Sequence, residues 1–115
     1  MLGFAFVFLV RELGHYGDPK ALKRIKIQLP EQEERLLKEI AAHGAVSSPH
    51  VLKLLDSMTV KNASGQITEG LLLLPFCKNG TVQDLIDRTM PSDYIPLQTI
   101  LKITIGVCKG LIAFQ

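Results

Sequence analysis

Lys20-Ala21-Leu22-Lys23-Arg24-Ile25-Lys26-Ile27-Gln28, followed at once by Pro30-Glu31-Gln32-Glu33-Glu34-Arg35-Leu36-Leu37-Lys38-Glu39-Ile40-Ala41, is the stretch whose reading decides the fold. The first half alternates apolar and charged residues, which predicts a half-buried strand over Lys20 to Gln28. The second half opens on a proline, where the missing amide proton costs a helix nothing. Glu31, Glu33 and Glu34 then crowd the positive first turn. Leu36, Leu37, Ile40 and Ala41 supply an apolar face, and Gly44 and Pro49 punctuate the end. A strand lysine, Lys23, therefore precedes a helix carboxylate, Glu39, by sixteen residues, a separation at which the two can meet across a fold.

Upstream, Phe4 to Glu12 reads as a strand and Gly14 to Pro19 as a turn, so that the first two strands make a hairpin. Downstream, Val51 to Val60 and Glu69 to Pro75 read as a second hairpin around the polar loop Lys61-Asn62-Ala63-Ser64-Gly65-Gln66. The order is strand, strand, helix, strand, strand, an α+β pattern. A short helix from Thr81 to Arg88, capped by Thr81, follows. After a loop with Pro91 and Pro96, Leu97 to Phe114 reads as a second long helix. Its apolar residues Ile100, Leu101, Ile103, Ile105, Val107, Leu111 and Ile112 are too many for one stripe, so it expects neighbours on several sides.

Composition narrows the function. A chain of 115 residues, 47% hydrophobic, is one domain or part of one. The net charge of +2 comes from interspersed signs with no basic stripe, so neither nucleic acid nor an anionic membrane surface is expected as a partner. Cys77 and Cys108 lie far apart, and His15, His43 and His50 offer no ligand pair, so reduced thiols and no metal site are expected. The apolar opening Met1 to Val10 lacks the basic start and cleavage site of a signal peptide and is too short to cross a bilayer. It reads as a strand, with no transmembrane segment. Asn62-Ala63-Ser64 and Asn79-Gly80-Thr81 match the glycosylation acceptor pattern, which matters only in a secreted protein.

Taken alone, Lys23 is a solvated strand lysine among Lys20, Arg24 and Lys26, and Glu39 is a helix charge paired with Arg35. Context changes that reading. Gly3-Phe4-Ala5-Phe6-Val7-Phe8-Leu9-Val10-Arg11, Ala21-Leu22-Lys23-Arg24 and Leu72-Leu73-Leu74-Pro75-Phe76-Cys77-Lys78-Asn79-Gly80-Thr81 resemble, in order and spacing, the amino-terminal lobe of eukaryotic protein kinases. The closest resemblance is to the numb-associated serine/threonine kinases. Ile105-Gly106-Val107-Cys108-Lys109-Gly110-Leu111 resembles the helix that leads towards the catalytic loop. The resemblance implies a small lobe over 1–75 (antiparallel sheet plus regulatory helix), a hinge over 76–80, and the first helices of a large lobe over 81–115.

It also implies roles. Phosphoryl transfer from ATP is catalysed by positioning and charge neutralisation, so Lys23 would reach the phosphates and Glu39, ten residues before Pro49, would hold Lys23 as an ion pair. Gly3 and Phe4 would belong to the phosphate-covering loop, and Val7 and Ala21 would sandwich the adenine. Leu74, Pro75 and Cys77 would form the gatekeeper and hinge, Pro75 offering a carbonyl and no amide. ATP would be the cofactor, with Mg2+ and a protein substrate in the complete kinase only. Family members act on endocytic adaptors or at the Golgi, implying a cytoplasmic protein peripheral to those membranes.

The sequence departs from the pattern in lacking the loop's first glycines, and the His-Arg-Asp and Asp-Phe-Gly segments would lie past Gln115. The expectation is a truncated kinase fragment, inactive as it stands, whose uncovered long helix favours self-association. Two other readings remain open at this level: a genuine short, non-catalytic interaction module, and an unrelated α+β binding domain.

Overall fold

The computed structural model describes residues 5–14 and 17–115. Its elements run β1 (Ala5–Val10), β2 (Lys20–Lys26), α1 (Pro30–Ala45), β3 (Asp56–Lys61), β4 (Ile67–Pro75), α2 (Val82–Thr89) and α3 (Leu97–Ala113). This is the α+β architecture expected: a four-stranded antiparallel sheet and three helices. The chain divides into two compact units. One holds the sheet and α1, closing with Leu52–Phe76; the other combines Ser48–Val51 with Cys77–Gln115.

In the first unit the sheet order is β1-β2-β4-β3. The two sequence-local hairpins form as anticipated, and β4 inserts between β2 and β3, pairing with β2 from Lys20 opposite Pro75 to Lys26 opposite Glu69. Helix α1 starts where Gln32 turns its side-chain carbonyl back onto the amides of Gln28 and Leu29, at 2.8 and 3.0 Å, satisfying two backbone donors ahead of the first turn. At its other end His43 Nε2 lies 2.6 Å from the Leu52 carbonyl.

Ile25, Leu36, Ile67 and Leu72 are buried, with Ile27, Ile40 and Leu54 packed around them. Leu36 alone among the described side chains is wholly buried. It sits on Gly70, where a Cβ would lie 2.7 and 2.8 Å from its two methyl carbons. Glycine is otherwise a poor choice inside a central strand. Here it is the notch that lets the helix approach the sheet.

Strand β3 begins at Asp56 rather than Val51. Leucines 52, 54 and 55 look like strand in sequence, but the Leu52 carbonyl is engaged by His43 and Leu54 is drawn into the core, so only the Leu55 amide joins the ladder, to the Leu73 carbonyl at 2.8 Å. Strand β4 starts two residues early, at Ile67, because a register shift at Val60/Lys61 returns Ile67 to the core side.

In the second unit α2 carries the expected cap: Thr81 Oγ1 accepts from the Asp84 amide at 3.1 Å, and the Asp84 carboxylate accepts from the Thr81 amide at 2.8 Å. Among the described residues of α3 only Gly110 is buried, its α-carbon so near the His50 carbonyl that a Cβ would stand 2.8 Å from that oxygen. Leu97, Ile100, Leu101, Ile105, Val107, Leu111 and Ile112 are exposed.

Candidate functional site

Strand register assembles the site. Because Leu36 packs on Gly70, the sheet face towards α1 is the one carrying Gly70, Ile25 and Leu72. Alternation then places the next residues on that face in rows across the strands. Val7 stands opposite Lys23 and Lys23 opposite Leu72; in the neighbouring row Leu9 stands opposite Ala21 and Ala21 opposite Leu74. Residues far apart in sequence thus form a patch of small and branched apolar side chains with one ammonium group in it. Val7 is exposed, while Ala21, Lys23 and Leu74 are half-buried. Such a surface suits a flat apolar group that carries an anion, since the apolar wall excludes water beside the cation and strengthens its attraction.

Four of the eight nucleotide-contact residues expected from sequence, Val7, Ala21, Lys23 and Leu74, therefore share one face. Pro75 ends β4 opposite Lys20. Cys77 belongs to the second unit, with an exposed thiol and a carbonyl accepting from the Gly80 amide at 3.1 Å. Gly3 and Phe4 lie outside the described residues.

The Lys23–Glu39 ion pair is not made in this structure. Among the described residues the ion pairs are Arg24–Glu69 and Glu34–Lys38. Glu39 is exposed on α1, where pairing competes with full solvation and gains little. Nor does Arg35, the alternative partner for Glu39, pair with it; the i,i+4 pair on this helix is instead Glu34 with Lys38 at 3.1 Å.

Sequence reasoning missed Arg24–Glu69. Arg24 Nε donates to Glu69 Oε2 at 2.9 Å and Nη2 donates to the other oxygen. The hydrogen bond to Arg24 holds the Glu69 carboxyl below its ordinary range, and the same bond raises Arg24. Forty-five residues separate the two, so no local pattern announces the pair; it exists because β2 and β4 are neighbours. It lies on the sheet face opposite Lys23. No group of histidine, cysteine, aspartate and glutamate that could hold a metal occurs among the described residues, and no helix among them is long and apolar enough to cross a membrane.

No family model matches the chain. Several curated proteins do. The chain is 33% identical over 114 residues to a probable serine/threonine-protein kinase of Dictyostelium discoideum and 35% identical over 114 residues to serine/threonine-protein kinase 16 of Rattus norvegicus, each match covering 98% of this chain. It is 29% identical to serine/threonine-protein kinase ENV7 of Saccharomyces cerevisiae over 83% of its length. The chain spans 14%, 36% and 26% of those proteins, respectively. It is thus related to serine/threonine protein kinases over nearly its whole length.

Proposed function

We propose that this chain is the nucleotide-binding side of a serine/threonine protein kinase, of the numb-associated type. Residues 1–75 act as the small lobe, 76–80 as the hinge and 81–115 as the start of the large lobe. The observation that carries the reading is the row pattern: Val7, Lys23, Ala21 and Leu74 come from three strands to one sheet face, in a chain whose relatives are named as kinases.

Val7 and Ala21 hold the adenine, Leu74 borders it, and Lys23 faces the phosphates. Pro75 presents its backbone carbonyl to the adenine edge, while Cys77 keeps the hinge role, and Gly3 and Phe4 the phosphate-loop role, that the kinase resemblance implies. Glu39 swings onto Lys23 when nucleotide is bound and the added anion draws the ammonium group into place. In the complete protein, magnesium ATP donates its γ-phosphoryl group to a serine or threonine of a protein substrate. The setting is cytoplasmic, next to Golgi or endocytic membranes.

The test is nucleotide titration of the chain by calorimetry. Binding with a dissociation constant on the order of 1 mM is expected. A charge-assisted contact contributes about 1.5 to 3 kcal/mol, so Lys23→Met should weaken it about tenfold or more. Unchanged affinity in that variant would show that the site is misassigned.

A further inference from the structure

The chain has two asparagines, Asn62 and Asn79, and their surroundings differ. Asn62 is held: its side-chain oxygen accepts from the amides of Ser64 at 2.9 Å and Gln66 at 3.0 Å, which shapes the turn between β3 and β4. Asn79 is not held. It is the third residue of the turn Cys77-Lys78-Asn79-Gly80, which the Gly80 amide closes on the Cys77 carbonyl at 3.1 Å, and all four residues are exposed. The Asn79 carboxamide makes no hydrogen bond among the described residues. The next residue is a glycine with φ of +80°, so no side chain stands beside its backbone nitrogen. Nor is there room for one: a Cβ on Gly80 would run into the Asp84 carboxylate, which accepts from the Thr81 amide to cap α2.

We infer that Asn79 is a site of spontaneous deamidation and that its isoaspartate product loosens the cap of α2. An exposed, unheld carboxamide beside an unhindered backbone nitrogen lets the chain cyclise on itself. The Gly80 nitrogen gives its proton to solvent base and attacks Asn79 Cγ. A new C–N bond forms, the bond from Cγ to the side-chain NH2 breaks, and that group takes a proton from water and leaves as ammonia. Water then opens the five-membered imide at either carbonyl. Opening at Cγ gives aspartate. Opening at the main-chain carbonyl gives isoaspartate, whose chain runs through the side-chain carbon and is one methylene longer. Attack requires the turn to open, because the Gly80 N–H is engaged with Cys77. A single exposed hydrogen bond restrains little, so folding should slow the reaction by no more than about tenfold. Asn62 lacks both advantages, being held by two amides and followed by Ala63. The extra methylene enters the backbone directly before Gly80, which is already crowded by Asp84, and two residues before the Thr81–Asp84 cap. The site does not depend on the nucleotide reading.

The experiment ages the full chain at mildly alkaline pH, folded and in denaturant. Digests are read by mass spectrometry, and an isoaspartate-specific methyltransferase counts the lengthened product. Replacement of NH2 by OH is expected at Asn79 in the folded chain, within about tenfold of its rate in denaturant, with Asn62 intact over the same interval. The rate should rise with pH, since the Gly80 nitrogen must lose its proton. Amide exchange in the first turn of α2 should be faster in the aged chain than in the fresh one. Asn79→Asp, which carries the charge without the methylene, should exchange like the fresh chain, and Asn79→Gln should be unaffected by ageing. An Asn79 that stays intact in the folded chain while reacting in denaturant would overturn the inference, as would an Asn62 that reacts equally fast. So would an aged chain whose α2 exchanges no faster, or an Asn79→Asp chain as loose as the aged one.

Discussion

Replacing Gly70 by alanine adds a single methyl group at the one place where helix and sheet touch most closely. That methyl carbon would lie 2.7 and 2.8 Å from the Leu36 Cδ atoms and 3.2 Å from its Cγ, where ordinary carbon contacts begin near 3.5 Å. Leu36 is wholly buried, so its side chain has no empty volume to swing into, and relief requires α1 to move off the sheet. Inserting a methylene-sized group into a packed core costs about 1 to 3 kcal/mol. Removing a glycine from a strand interior returns about 0.5 to 1 kcal/mol of backbone entropy. Taken at their midpoints the two leave Gly70→Ala destabilising by roughly 1 kcal/mol, or about 4 to 8 °C in melting temperature for a unit of this size. Leu36→Ala alone should cost about 2 to 5 kcal/mol. In the double variant the alanine methyl occupies space vacated by the leucine, so the two costs should fall short of additive by at least about 1 kcal/mol. Chemical denaturation followed by circular dichroism measures all four corners of this cycle. Additive costs, or a Gly70→Ala chain as stable as the parent, would refute the notch.

The remaining predictions concern local electrostatics and capping. Glu69 is held below its ordinary value by Arg24, so the pair stabilises the fold above the unfolded carboxylate's value of about 4.3 and that stabilisation disappears as pH falls through the lowered folded value. Arg24→Gln should flatten the acid limb of unfolding stability between neutral pH and strong acid, and an unchanged limb would mean that the pair contributes nothing. The shift on Asp84 has the same sign, caused by hydrogen bonds with Thr81, so some acid sensitivity remains in that variant. Thr81→Ala removes the acceptor for the Asp84 amide and should cost α2 about 1 kcal/mol, visible as faster amide exchange in its first turn. Equal exchange rates would show the cap to be redundant.

The parts of this fold that could be read from sequence are those whose signal is local. Alternation marks β2, proline and glutamates mark the start of α1, and Thr81 marks the start of α2. Long-range features carried no such mark. That β4 lies between β2 and β3 follows from pairings 55 residues apart at Lys20 and Pro75, and the Arg24–Glu69 pair follows from it. The apolar run before Asp56 read as strand because periodicity cannot tell a leucine that joins a ladder from one held by a histidine or by the core. Gly70 drew no reading from sequence, since its purpose appears only when Leu36 is brought against it. For the candidate site, sequence named Val7, Ala21, Lys23 and Leu74, which the strand register sets on one sheet face. The Lys23–Glu39 ion pair that sequence also named is not made in this structure, because it depends on where an exposed glutamate points.

The insertion of β4 between β2 and β3 also bears on how quickly the chain can reach its native state. The β3–β4 ladder closes a turn of only a few residues, from Lys61 to Ile67, whereas the β2–β4 ladder must first gather up α1, β3 and the intervening loops. Short closures form within microseconds, and non-local pairings wait on the entropy of the larger loop. Loop-closure entropy thus favours an order of assembly in which the β3–β4 hairpin forms first and the β1–β2 hairpin docks onto it. Until that docking, β4 offers an unpaired apolar edge, and the interval during which it does so is when association between unfolded chains competes with folding.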